Sequence, residues 1–183
     1  MLNSAFSIQQ QIITDLKELF KDQTFAAPLA PLEPIDPDQY EQLEQEQQEQ
    51  EQEQTERVPL KFYAQEVPAP ENSDEQALEI VPYCLVRIEG GSFTEWNYTR
   101  QIKLSIIFCI YDAENRAGQN VIMDLLEQVL KYYAQKQCVN NSIINLPIDF
   151  DIQTDLDTAP YYFGGLLLNL ESAGVEMPIN HLT

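Results

Sequence analysis

Four acidic residues in one short span, Asp149, Asp151, Asp155 and Asp157, come nearest to chemistry by type and spacing. Alternation along a strand puts Asp149 and Asp151 on one face, and hard cations take carboxylate oxygens. No glycine-turned loop of calcium-binding form accompanies them, so the expectation is a solvated strand edge without a metal. The one histidine, His181, stands near the end of the chain, without a rigid setting for acid–base work. Ser92, Ser105, Ser142 and Ser172 lack a nucleophile-elbow context, and no second histidine exists to serve a triad. Cys84, Cys109 and Cys138 are an odd number without metal-ligand spacing. They are expected to be reduced and buried, the first two as small hydrophobes in apolar strand-like runs. Gly90-Gly91 and Gly164-Gly165 lack the glycine spacing, lysine or following helix that cradles phosphate, and read as turn or bulge glycines. The expectation is therefore a protein without catalytic residues, cofactor or metal, and not an enzyme.

The charge narrows the partners. Thirty acids against ten bases give a net charge of −20, which repels a phosphate backbone and argues against direct DNA binding. Ten of the acids lie between Glu33 and Glu56 with no Lys or Arg among them. Pro28, Pro31, Pro34 and Pro37 lead into a Glu/Gln tract from Glu41 to Glu56, where only Tyr40 and Leu43 offer apolar anchors. A segment this polar buries too little to offset its ordering entropy, so residues 24–57 read as a solvated linker or insertion. The sharper alternative is an acidic arm that docks on a basic partner. No secretory signal is evident, and the apolar runs are too short to span a membrane. A protein made and used in a cytoplasm is expected.

The elements that must position any surface are legible from periodicity. Residues 1–23 hold an amphipathic helix with Ile8, Ile12, Leu16, Leu19 and Phe20 at spacings of three and four, capped by Ser7 in an S-x-x-Q box or by Ser4 one turn earlier. Residues 58–183 form the core domain. Strands are expected from Val58 to Ala64, from Val81 to Phe93 with a turn at Gly90-Gly91, and from Ile102 to Tyr111. A helix follows from about Gln119 to Lys136, with a wide apolar stripe; Asn140-Asn141 breaks the chain, and strands close it from Ile148 to Gln153 and from Tyr161 to Glu171. The expected fold is α+β: an antiparallel four- to five-stranded sheet covered on one face by the long helix, plus the N-terminal helix. One helix-covered face cannot use every apolar residue. Ile107, Tyr111, Tyr161 and Tyr162 are the surplus, and are candidates for subunit or partner contacts. Trp96, with Phe93 and Tyr98 in a loop between strands, reads either as a partner hot spot or as a lid on the core.

Several pieces in order, PYCLVRIEGG from Pro82, QIKLSIIFCIYD from Gln101, NVIMDLLEQVL from Asn120, PIDFDI from Pro147 and PYYFGG from Pro160, together resemble the tail terminator and tail-completion proteins of long-tailed bacteriophages. In that family a strand ending in Tyr-Asp precedes a helix, and the last strand opens with a Pro-Tyr-aromatic-Phe-Gly element. Here these are Tyr111-Asp112 and Pro160 to Gly164. The likeness covers about Arg57 to Pro178 plus the first helix, rests on co-linearity, and leaves the Glu/Gln tract without a counterpart. It implies a ring, typically a hexamer, that caps the head-proximal end of the tail tube, stops tube polymerisation and offers a docking surface to the head connector. The implied partners are other copies of the chain, the tail tube protein and the connector or head-closure protein. DNA would pass through the lumen without specific binding, no membrane is involved, and the setting is the virion neck after assembly in the host cytoplasm. Competing readings are a connector-adaptor ring at the same neck, and an acidic binding module or inhibitor that acts through the Glu/Gln tract.

Overall fold

Ser4, one turn before Ser7, begins the first helix. Its Oγ accepts a hydrogen bond from the Ser7 N–H at 3.1 Å, and the Ser7 hydroxyl donates back to the Ser4 carbonyl at 2.8 Å. The Ser7 N–H, which the first turn leaves without an intrahelical partner, is thereby used, and the Ser4 carbonyl also accepts from the Ile8 N–H at 3.2 Å. In the computed structural model, which describes residues 4–28, 57–68, 80–94, 99–112, 117–153 and 158–173, this helix is α1 (Ala5–Leu19). It is followed by β1 (Thr24–Ala26), β2 (Arg57–Pro59), β3 (Lys61–Ala64), β4 (Tyr83–Thr94), β5 (Thr99–Tyr111), α2 (Gly118–Lys136), β6 (Cys138–Val139), β7 (Ser142–Ile152) and β8 (Tyr161–Ala173).

The architecture is α+β, and the sheet is larger and more mixed than expected. Six strands run in the order β3-β4-β5-β8-β7-β6, and β1 pairs separately with β2. All neighbours in the large sheet are antiparallel except β3 and β4. Residues 65–82 connect those two, long enough for the chain to return to the start of β3, which a parallel pair requires. The sixth strand arises because Asn140 and Asn141, with φ of 46° and 61°, make a two-residue hairpin turn that joins β6 to β7. β7 therefore starts at Ser142, earlier than its alternation suggests. Gly90-Gly91 does not turn the chain: β4 continues to Thr94, with a bulge between Ile88 and Gly90.

Register decides which face is core. Cys84, Phe108 and Gly164 form one row across β4, β5 and β8; Val86, Ile106 and Leu166 form the next, and Ile88, Leu104 and Leu168 the one after. Both helices pack on this side, α2 mainly over β8 and β7 and α1 over β3 and β4. The buried Ile8, Ile12 and Leu16 of α1 and Ile122, Leu125, Leu126 and Val129 of α2 belong to one continuous cluster. The first helix thus completes the core, with Phe20 packed edge-on against Phe108 at 5.8 Å. Each such aliphatic side chain contributes about 1.5–3 kcal/mol by leaving water. Gly164 lets α2 come down onto the sheet, since a Cβ there would meet Ile122 at 2.3 Å.

Polar contacts fix the helices in place. Buried Gln9 donates to the Val86 carbonyl at 2.7 Å and to Gln65 Oε1 at 3.2 Å, and Gln65 Oε1 also accepts from the Ile88 N–H at 2.7 Å. Asn140 donates to the Ser7 carbonyl at 2.9 Å, which ties the hairpin turn to α1. Asp15, almost wholly buried, accepts from Lys136 of α2 and from Gln11. Lys136 also donates to the Tyr132 hydroxyl at 3.2 Å.

Candidate assembly surface

No described helix packs on the other face of the sheet. Alternation turns toward it the side chains of Tyr83 and Leu85 on β4, Ile107 and Tyr111 on β5, and Tyr161, Phe163 and Leu167 on β8, all half-buried. Tyr63 and Tyr83 meet at 6.1 Å, and Tyr111 and Tyr161 at 5.6 Å, so the face carries aromatic contacts at one end. Gly165 leaves a hollow in the middle of it, a shallow groove of about 260 Å³ bordered by Ile107 and Leu167 and rimmed by Asp149 and Asp151. Burial and the adjacent Cys109 thiol push the Tyr83 phenol up to about 12. Burial likewise pushes Cys109 up to about 12, against a smaller lowering from its hydrogen bond with Tyr83. Both groups stay protonated near neutral pH, so this thiol is a packing group and not a nucleophile.

The sheet edges differ. β3 offers four residues, whereas β7 runs for eleven and is paired on its outer side where β6 meets Ser142 and Ile143 and where the Ile144 N–H donates to the Gln137 carbonyl at 2.9 Å. Beyond that pairing, among the described residues, the outer edge of β7 is open, and Leu146 and Phe150 are 65% and 50% exposed along it. Asp149 and Asp151 flank Phe150 and are exposed. A long edge with apolar side chains is a ready template for another strand or subunit, and its carboxylates limit which one.

Of the surplus residues picked out from sequence, Ile107, Tyr111 and Tyr161 share the uncovered face. Tyr162 does not. It is 7% exposed and packs under the start of α2, where a Cβ on Gly118 would fall 2.2 Å from its ring. It shares the parity of Leu166, Leu168 and Leu170, a signal already present in the period-two pattern. Trp96 lies outside the described residues, as do Tyr98, Asp155, Asp157, His181 and the Glu/Gln tract. Its neighbour Phe93 is 51% exposed and borders a second groove, of about 430 Å³, between the bulge in β4 and the start of α1. Cys84 and Cys109 are buried as expected, whereas Cys138 is exposed because β6 is a short strand at the sheet margin.

No protein-family model matches this chain, and a search of curated proteins finds no match. The chain's own geometry therefore carries the reading. The motif pieces meet at one corner: the Asp112 N–H donates to the Pro160 carbonyl at 3.0 Å beside the Tyr111–Tyr161 contact. The Asp112 carboxylate accepts from the N–H groups of Ala117 and Gly118 at 2.9 and 2.8 Å. Tyr-Asp and Pro-Tyr-Tyr-Phe-Gly act here as structural devices that join β5, β8 and α2. Among the described residues no group of three His, Cys, Asp or Glu side chains is placed to hold a metal ion. Among the same residues no helix is long and apolar enough to cross a membrane.

Proposed function

We propose that this chain is a structural assembly protein of a tailed-phage particle. It forms a ring, a hexamer in the family it resembles, that caps the head-proximal end of the tail tube, stops tube growth and presents a face to the head connector. The observation that carries the reading is surplus recognition surface: an apolar sheet face that no described helix covers, together with a β7 edge, open among the described residues, that bears exposed Leu146 and Phe150. A closed ring needs two unlike surfaces on each subunit. The short β3 edge and the long acidic β7 edge are such a pair, and ring closure through them leaves the other sheet face free of ring contacts. At a net charge of −20 the ring lets DNA pass without holding it. Assembly takes place in the host cytoplasm, and the neck of the virion is the final site.

Light scattering of the purified chain, alone and with assembled tail tubes, followed by negative-stain imaging of the tube ends, tests this. Rings, or density at one tube tip, are expected; a chain that ignores tubes under all conditions removes the proposal. Partition with DNA-filled heads in place of tube ends would favour the connector-adaptor ring.

One observation favours the acidic-module reading enough to test it. β1 and β2 pair at Ala26 and Arg57, and the Arg57 guanidinium donates to the Thr24 carbonyl at 2.6 Å, so the acidic segment leaves and rejoins the fold at one fixed point. Deleting residues 38–56 leaves tube capping largely intact under the first reading and abolishes activity under the second.

A further inference from the structure

Along β5 the uncovered face reads Ser105, Ile107, Cys109. Beside them in register on β8 stand Leu167, Gly165 and Phe163. Each small side chain on one strand thus neighbours a large one on the other. The same rows extend to the flanking strands: Arg87 precedes Ser105 on β4, and Asp149 follows Leu167 on β7. That row runs from an exposed cation to an exposed anion. The Arg87 side chain is 55% exposed, with Glu89 at 3.8 Å as a loose neighbour, and the Glu89 carboxylate accepts from the Ser105 hydroxyl at 2.5 Å.

We propose that this face docks on the same face of a second copy of the chain, about a two-fold axis that lies parallel to the strands above the β5–β8 seam. That operation reverses strand order and preserves height along the strands. Ile107 then enters the hollow at Gly165 of the second copy, Leu167 lies over Ser105, and Arg87 stands over Asp149; Cys109, already buried within its own subunit, gains no cover. The contact is isologous, so each pairing occurs twice. Packed sheets lie about 10 Å apart and are turned by roughly 30°. Arg87 sits one and a half strand spacings from the seam, roughly 7 Å, so that turn displaces it by roughly 4 Å, within reach of an arginine side chain. The size alternation at Ile107 and Gly165 and the charge polarity from Arg87 to Asp149 both complement their own two-fold image, which selects a second copy as the occupant. The contact uses the face and leaves the β3 and β7 edges for ring closure, so it does not rest on the tube-capping reading.

Light scattering of the full chain over a dilution series should show reversible pairing. Arg87→Asp and Asp149→Arg should each weaken it by about tenfold or more, since each introduces two like-charge contacts. The double variant R87D/D149R, which exchanges the charges, should return to within about threefold of the wild type. Both residues are exposed, so unchanged circular-dichroism melting separates lost association from lost folding. A wild-type monomer at every concentration, self-association indifferent to the single charge reversals, or a double variant no better than either single one would overturn the proposal. Tube capping with any of those results leaves only the capping reading standing, and charge-swap rescue without capping leaves only this one.

Discussion

Asp112 caps a helix whose first residue, Gly118, lies six positions further along the chain. Its carboxylate accepts from the N–H groups of both Ala117 and Gly118, and Ala117, in the capping position itself, has no side chain to do so. A carboxylate here also meets the positive end of the helix dipole. Asp112→Ala is expected to cost about 1–2 kcal/mol and Asp112→Asn less, because the amide oxygen still accepts. Urea denaturation of the three proteins checks this; equal midpoints would mean the cap contributes nothing.

Gly118 and Tyr162 test the same corner by volume. A methyl group at position 118 points into a ring that is itself buried, so the ring cannot swing into solvent. Gly118→Ala is expected to destabilise by about 1–3 kcal/mol despite the better helix propensity of alanine. Pairing it with Tyr162→Leu should make the two losses less than additive, measurable as a double-mutant cycle.

Lys136 predicts an alkaline effect. Burial lowers its proton affinity, but the hydrogen bonds to Asp15 and Tyr132 and their charge interactions outweigh that, and its pKa is raised above the ordinary 10.5. A raised folded value means that the contribution is fully present below about pH 10.5 and is lost as pH rises through the folded pKa. Lys136→Met leaves a buried Asp15 short of a partner and should cost about 2 kcal/mol at neutral pH, discounted for the partial exposure of the lysine. The gap between wild type and variant should narrow above about pH 10.5. Reading the difference between the two cancels the buried tyrosines, such as Tyr133, whose phenol burial also pushes up.

The thiols should divide two to one. Cys138 is exposed, whereas Cys84 and Cys109 are buried with thiols that burial pushes up. A thiol reagent at neutral pH should modify one cysteine in the native protein and all three in urea, with Cys138 identified by peptide mass mapping. Fast native labelling of Cys109 would show that the uncovered face opens more readily than its packing implies.

Local periodicity by itself determined most of the elements. Ile102, Leu104, Ile106, Phe108 and Ile110 alternate in the chain and are all buried, and the stripe on α2 supplies Ile122, Leu125, Leu126 and Val129 to the same core. The same alternation set Ile107, Tyr111 and Tyr161 apart as surplus, and it held the information that Tyr162 belongs with Leu166. What the tertiary structure decided was arrangement: the parallel placement of β3, the β6–β7 hairpin, and the packing of both helices on one face. It also decided the use of Asp112 as a distant cap. A pattern of two or 3.6 residues reports which side of a segment avoids water, a property of the segment alone. Which strand lies beside which, and which edge stays open, depends on closing long connections over a shared core, and the residues that meet there, Asp15 with Lys136 and Gly164 with Ile122, lie far apart in sequence.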